Sequence, residues 1–140
     1  MVIVDTSAWV TFFRRDGDLA VKLAVKGLLD EFEATLCGPV EMEFLGGALP
    51  HERPRIQRWF DIIPYLGNDQ KLWRKAAGHY ASLRKGGLTA PWNDVLIATL
   101  AIEKGVRVYA HDKHFPAMAA ILPGLSLYEP GYNGGYNRGE

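Results

Sequence analysis

Four carboxylates stand where apolar strands or helices of this chain meet loops, or on the packed side of a helix. They are Asp5, in Val2-Ile3-Val4-Asp5-Thr6-Ser7, then Glu43, Asp94 and Asp112. A carboxylate beside a hydrophobic core is costly unless something charged compensates it. If all four converge, a divalent cation is the natural compensator. Singly, each has an ordinary alternative. Asp5 or Thr6 can cap the first helix, and Asp94 can be a first-turn acid favoured by the helix dipole. Asp112 can be a turn residue, and Glu43 a solvated helix residue.

Whether they converge depends on the elements that carry them. Residues 2–4 form a short β-branched run, the mark of a buried strand. A helix is predicted from Thr6 to Arg14, and Asp16-Gly17-Asp18 breaks it before a second helix near 19–32. Ala34 to Cys37 reads as a second strand. Pro39 suits the first turn of a third helix that Gly46-Gly47 ends. A helix at 51–61 precedes Ile62-Ile63-Pro64-Tyr65-Leu66, where the proline permits an edge strand only. Helices follow at 69–85 and 92–104, a strand from Val106 to Ala110, a short helix from His114 to Ala120, and a last strand from Leu125 to Tyr128. The alternation predicts an α/β/α three-layer sandwich around a parallel sheet of about five short strands. It is one domain over 1–130, with a flexible tail at 131–140.

Right-handed crossovers place every strand C-terminus of such a sheet on one rim, where ligands bind. Asp5 and Asp112 follow strands directly, so both belong to that rim. Asp94 opens a helix that runs back to feed the strand at 106–110, so it starts there too. It shares a stripe with Ala98 and Ala101, small residues suited to close packing on a sheet. On a helical wheel from Val40, Phe44 and Gly47 lie within about 40°, with Glu43 beside them. Glu41 is displaced by about 100° to the other flank, so Glu43 is the better candidate.

Composition sets outer bounds. Sixteen basic and sixteen acidic residues cancel, so a nucleic-acid partner would need a local basic patch rather than a global field. One cysteine, Cys37, excludes an internal disulfide and a cysteine-based zinc site, and its apolar setting favours a buried structural thiol. The start of the chain lacks the basic region of a signal peptide. The longest apolar stretch, around Val95 to Ile102, is too short to span a bilayer. A cytoplasmic protein with no membrane partner is expected.

Four motifs in order carry a family resemblance over nearly the whole chain. They are Val2-Ile3-Val4-Asp5-Thr6-Ser7-Ala8-Trp9, Glu43-Phe44-Leu45-Gly46-Gly47, Asn93-Asp94-Val95-Leu96-Ile97-Ala98 and Val108-Tyr109-Ala110-His111-Asp112-Lys113-His114-Phe115. The chain resembles PIN-domain proteins, and within them the VapC toxins of type II toxin–antitoxin pairs. The resemblance implies a metal-dependent ribonuclease, inhibited by a cognate antitoxin and often a homodimer. Asp5, Glu43, Asp94 and Asp112 fall on the family's acidic positions, and Thr6 or Ser7 on its hydroxyl beside the first aspartate. One departure is Ala110, where the family commonly has threonine or serine. The hydrogen bond that residue makes is missing or supplied otherwise, for example by His111.

An all-acid site of this kind suits Mg²⁺ or Mn²⁺, which prefer carboxylate oxygens and retained water. Asp5, Asp94 and Asp112 are the expected ligands, and Glu43 positions or deprotonates the attacking water. Such a pocket repels RNA, so cations must hold the backbone. Arg14, Arg15 and Lys113 are the candidates, with Arg53, Arg55 and Arg58, or Arg74 and Lys75, extending a track. Trp92 stacks an unpaired base or packs the helix start. His51, His79 and His114 have no ligand spacing and read as structural or exposed. A phosphate-receiving domain would need an adjacent acid pair after the first strand, and a haloacid-dehalogenase-like phosphatase an Asp where Ser7 stands. A nuclease of RNA maturation or decay, or a PIN-like binding module without catalysis, are the alternatives.

Overall fold

The computed structural model describes residues 1–130, so the tail expected at 131–140 lies outside the described residues. The chain runs β1 (Val2–Val4), α1 (Thr6–Phe13), α2 (Leu19–Asp30), β2 (Ala34–Cys37), α3 (Gly38–Gly47) and α4 (Arg53–Asp61). It continues through β3 (Tyr65–Leu66), α5 (Gln70–Lys85), α6 (Trp92–Lys104), β4 (Arg107–Tyr109) and α7 (His114–Ala119). The strands form one parallel sheet in the order β3-β2-β1-β4. Strand order therefore reverses between β1 and β4, and the crevice above that pair is where an open α/β sheet takes a ligand.

Every residue of β1 and β2 is buried, as expected of strands covered on both faces. Trp9 on α1 is fully buried and packs edge-on against Phe60 and Phe12, with ring centroids 5.6 and 5.9 Å away. On α6, Ala98 and Ala101 are buried, the close packing their small side chains allow. Gly105 ends α6 at φ 66°, a left-handed conformation that glycine adopts without a Cβ clash.

Two expected elements come out shorter. The 62–66 segment keeps only Tyr65 and Leu66 as an edge strand, because Pro64 has no N–H to donate and only accepts, from Leu36. The last strand, expected from Leu125 to Tyr128, reduces to one bridge between Val108 and Leu127. Two bonds frame it, Val108 N–H to Ser126 and Tyr128 N–H to Val108. The next donor from the last strand would be Pro130, which has none. Among the described residues the sheet therefore has four strands rather than about five.

Candidate metal centre

Asp5 lies at the C-terminal end of β1, and its main-chain N–H bonds the carbonyl of Tyr109, the last residue of β4, at 2.8 Å. Strand pairing thus fixes Asp5 at the switch point. It also caps α1: Oδ2 accepts from the Ser7 N–H at 3.1 Å and the Ser7 hydroxyl at 2.7 Å. Capping accounts for Oδ2 but not for Oδ1, which is buried with no hydrogen-bond partner among the described residues. With the residue only 3% exposed, burial pushes the Asp5 carboxyl up from 3.8 to about 6. The Ser7 bonds oppose the rise, and the charges of Asp94 and Asp112 add to it.

Asp94 is buried in the first turn of α6, with its carboxyl raised chiefly by burial. A His114 bond pulls it back, whereas Asp112 and Glu43 push it further up. His114 Nδ1 lies 2.7 Å from Asp94 Oδ2 and 3.9 Å from Asp112 Oδ2. One ligand atom from each of Asp94, Asp112 and His114 falls within 4.8 Å of the others. Asp112 Oδ1 accepts from the His114 N–H at 3.0 Å, which leaves its other oxygen turned to the cluster. Glu43 is exposed on α3 and joins the rim through Asn93, whose amide donates to Glu43 Oε1 and to the Pro39 carbonyl, both at 3.1 Å.

Asp94, Asp112 and His114 therefore form the tight cluster, Asp5 lies close enough for the charges of Asp94 and Asp112 to raise its carboxyl, and Glu43 joins through Asn93. Of the two hydroxyls at the start of α1, Ser7 is the one bonded to Asp5; Thr6 Oγ1 is buried and has no partner among the described residues. Ser7 Oγ also accepts from the main-chain N–H of His111 at 2.8 Å. His111 thus reaches the site through its backbone, by a bond that does not depend on the side chain at position 110. Two residues escaped the sequence reading. His114 is exposed, as expected, yet its ring is bonded to Asp94, and its place two residues after Asp112 was the signal. Asn93 carries no pattern of its own beyond adjacency to Asp94. His79 is structural, with Nδ1 2.9 Å from the Thr99 hydroxyl. Cys37 is buried and its thiol is pushed up to about 12, which makes it inert.

These residues suit a hard divalent cation. A buried carboxylate oxygen with no donor, beside two further acids, is the environment a cation relieves, and oxygen donors predominate. The candidate cations are scattered. Arg14 lines a cleft with Thr6, Glu43 and Arg55, while Arg15 and Lys113 are exposed. Trp92, at 74% exposure, lines an apolar cleft with Trp73, Ala76, Tyr80 and Leu96.

The family model described as the PIN domain matches residues 2–121. The chain belongs to the PIN-domain family. Among curated PIN-domain relatives, it is 40% identical over 126 residues to "Ribonuclease VapC11" of Mycobacterium tuberculosis, covering 86% of this chain and 93% of the relative. The structure of VapBC2 from Rickettsia felis, bound to a DNA fragment from its promoter, aligns with a TM-score of 0.74 at 16% identity. That match covers 91% of this chain and 98% of the other. A toxin–antitoxin complex from Klebsiella pneumoniae gives a TM-score of 0.71 at 16% identity over 92% and 99%. At such identities the two structures speak for the PIN fold. Among the described residues, no helix is long and apolar enough to cross a membrane.

Proposed function

We propose that this PIN-domain protein is a metal-dependent endoribonuclease and the toxin of a toxin–antitoxin pair. The observation that carries the reading is the unpartnered, buried Oδ1 of Asp5 on the rim that also holds the Asp94, Asp112 and His114 cluster. The kinship to a VapC ribonuclease supports the RNA substrate, and the likeness to a toxin–antitoxin complex supports a cognate antitoxin. Asp5, Asp94 and Asp112 would hold Mg²⁺ or Mn²⁺. When bound, such an ion supplies an activated water and charge relief on the phosphoryl oxygens. Ser7, locked between Asp5 and the His111 N–H, keeps the Asp5 carboxylate in one rotamer. Asn93 aims Glu43 at the rim, where its free oxygen can take a proton from the attacking water. His114 orients Asp94. The proposal includes a homodimer, with a second copy covering the apolar cleft of Trp73, Tyr80, Trp92 and Leu96; Trp92 is then a contact residue rather than a base platform.

The test is cleavage of RNA by the purified protein with and without metal. Cutting that needs Mg²⁺ or Mn²⁺ and stops with EDTA is expected; cutting that persists in EDTA would sink the mechanism. A small antitoxin encoded beside the gene, whose product blocks the cutting, is expected too. Its absence would favour a nuclease of RNA maturation or decay. The two glutamates of α3 separate catalysis from structure. Glu43→Gln is expected to lower cleavage about a hundredfold or more, the usual scale of proton-transfer assistance. Glu41→Gln is expected to leave the rate near wild type. Equal rates for the two variants would remove Glu43 from the site.

A further inference from the structure

Beside Glu43 and Thr6 opens a cleft of about 250 Å³ whose walls also include Phe13, Arg14, Gly47, Glu52 and Arg55. Two of these side chains are cations whose partners are not acids. Arg55 lays its guanidinium 5.3 Å above the Phe13 ring, which holds the side chain in place while leaving its N–H edge for hydrogen bonds. Arg14 follows α1 directly. Its N–H is bonded to the carbonyls of Val10 and Thr11, and its own carbonyl accepts from Lys22 Nζ, so the backbone that presents its side chain is pinned on both sides.

Neither guanidinium forms an ion pair among the described residues. The two acids lining the cleft are engaged elsewhere. Glu43 Oε1 accepts from Asn93, and Glu52 Oε1 from the Leu49 N–H at 3.3 Å. An unpaired arginine pair in a concave wall next to an acidic centre is matched to an anion that cannot lie on the acids themselves. The floor is also bare. Gly47 stands in the last turn of α3 at an ordinary φ, and a Cβ built there would meet nothing within 4 Å. Glycine weakens a helix by roughly 0.5–1 kcal/mol relative to alanine, so the fold gains nothing from it there. What the missing side chain leaves is room.

We propose that Arg55, ordered on Phe13, and Arg14 grip a backbone phosphate of the RNA strand adjacent to the one that is cut, with Gly47 keeping the passage open. The inference rests on the ribonuclease reading and adds how that site holds its substrate. Bidentate arginine–phosphate recognition fits the cleft, and the phosphate charge offsets the repulsion an RNA strand meets at the acids.

The test uses a fluorescein-labelled single-stranded RNA with the wild-type protein, Arg55→Ala, Arg55→Lys, Arg14→Ala and Gly47→Leu. Binding is followed by anisotropy across salt concentrations, and cleavage by KM and kcat. Arg55→Ala is expected to raise Kd and KM about tenfold, the scale of a lost charge-assisted hydrogen bond, with a much smaller effect on kcat. The slope of log binding constant against log salt should fall by about 0.7 for the lost contact, and Arg55→Lys should keep most of that slope. Gly47→Leu should raise KM several-fold with unchanged melting, since it fills the passage without removing charge. Unchanged KM and salt slope in Arg55→Ala would overturn the grip. So would weakened binding of a copurifying antitoxin with normal RNA binding, which would assign the arginines to the antitoxin. RNA bound with the expected slopes but not cut by wild type would instead overturn the ribonuclease reading and leave the grip supported.

Discussion

Asp5→Asn is expected to abolish RNA cleavage, by about a thousandfold or more, and at the same time to raise the melting temperature of the metal-free protein at pH 7. Both effects come from one carboxylate. Catalysis should be lost because the proposed ligand Asp5 is the acid fixed at the switch point by the Tyr109 carbonyl and by Ser7, and asparagine has no charge to offer a cation. Stability is gained because burial raises the Asp5 carboxyl from 3.8 to about 6, so at pH 7 the folded metal-free protein holds a buried charge at a cost. A rise of that size corresponds to about 3 kcal/mol. The folded state keeps the proton over a pH range in which the unfolded chain has released it. Its favourable contribution is therefore complete below 3.8 and is lost as pH climbs through about 6. The metal-free wild type should consequently melt several degrees higher near pH 5 than at pH 7, with Asp94 shifted in the same sense. Asp5→Asn should flatten that dependence, and saturating Mn²⁺ at pH 7 should restore wild-type melting but not change the variant. Thermal unfolding from pH 4 to 8 checks all three. A variant that melts lower at pH 7 and still cuts RNA would remove Asp5 from the centre.

Trp9→Ala has the largest expected effect on the fold, a loss of about 3–5 kcal/mol in urea unfolding. The side chain is fully buried, and its ring meets Phe12, Phe13 and Phe60 at centroid distances of 5.9, 6.1 and 5.6 Å. It carries one defect: the indole Nε1 is buried with no partner among the described residues, and an unmet donor costs roughly 1–3 kcal/mol. Trp9→Phe gives up some area but also removes that donor, so it should cost well under half as much as alanine. Trp9 sits two residues beyond Ser7 on α1, so the alanine variant should also weaken metal binding by loosening the helix start that holds Asp5. A cost below about 1 kcal/mol for Trp9→Ala would mean the aromatic cluster does not anchor α1.

What was legible in the chain follows covalent periodicity. The β-branched run at 2–4, the Asp16-Gly17-Asp18 break before α2 and the proline–glycine punctuation of α3 are local signals, and the corresponding elements appear within a residue or two. Crossover handedness then placed Asp5, Asp94 and Asp112 on one rim before any coordinate, because it depends only on element order. The overestimated fifth strand shows where local pattern fails. Leu125 to Tyr128 has the composition of a strand, but a ladder also needs donors, and Pro130 interrupts the sequence of donors after one bridge.

By itself, then, the sequence determined the element order, the parallel α/β class and the acids that stand at strand and helix ends. Only the tertiary structure decided how those acids are held. Ser7 receives the His111 N–H from 104 residues away, Asn93 reaches Glu43 across 50, and His114 meets Asp94 across 20. No spacing rule encodes such contacts, because they exist only once packing has brought distant segments of the chain to one rim of the sheet. The unpartnered oxygen of Asp5 belongs to the same class of fact. Burial, and the partner that burial withholds, are properties of the packed molecule and have no signature in a single segment of chain.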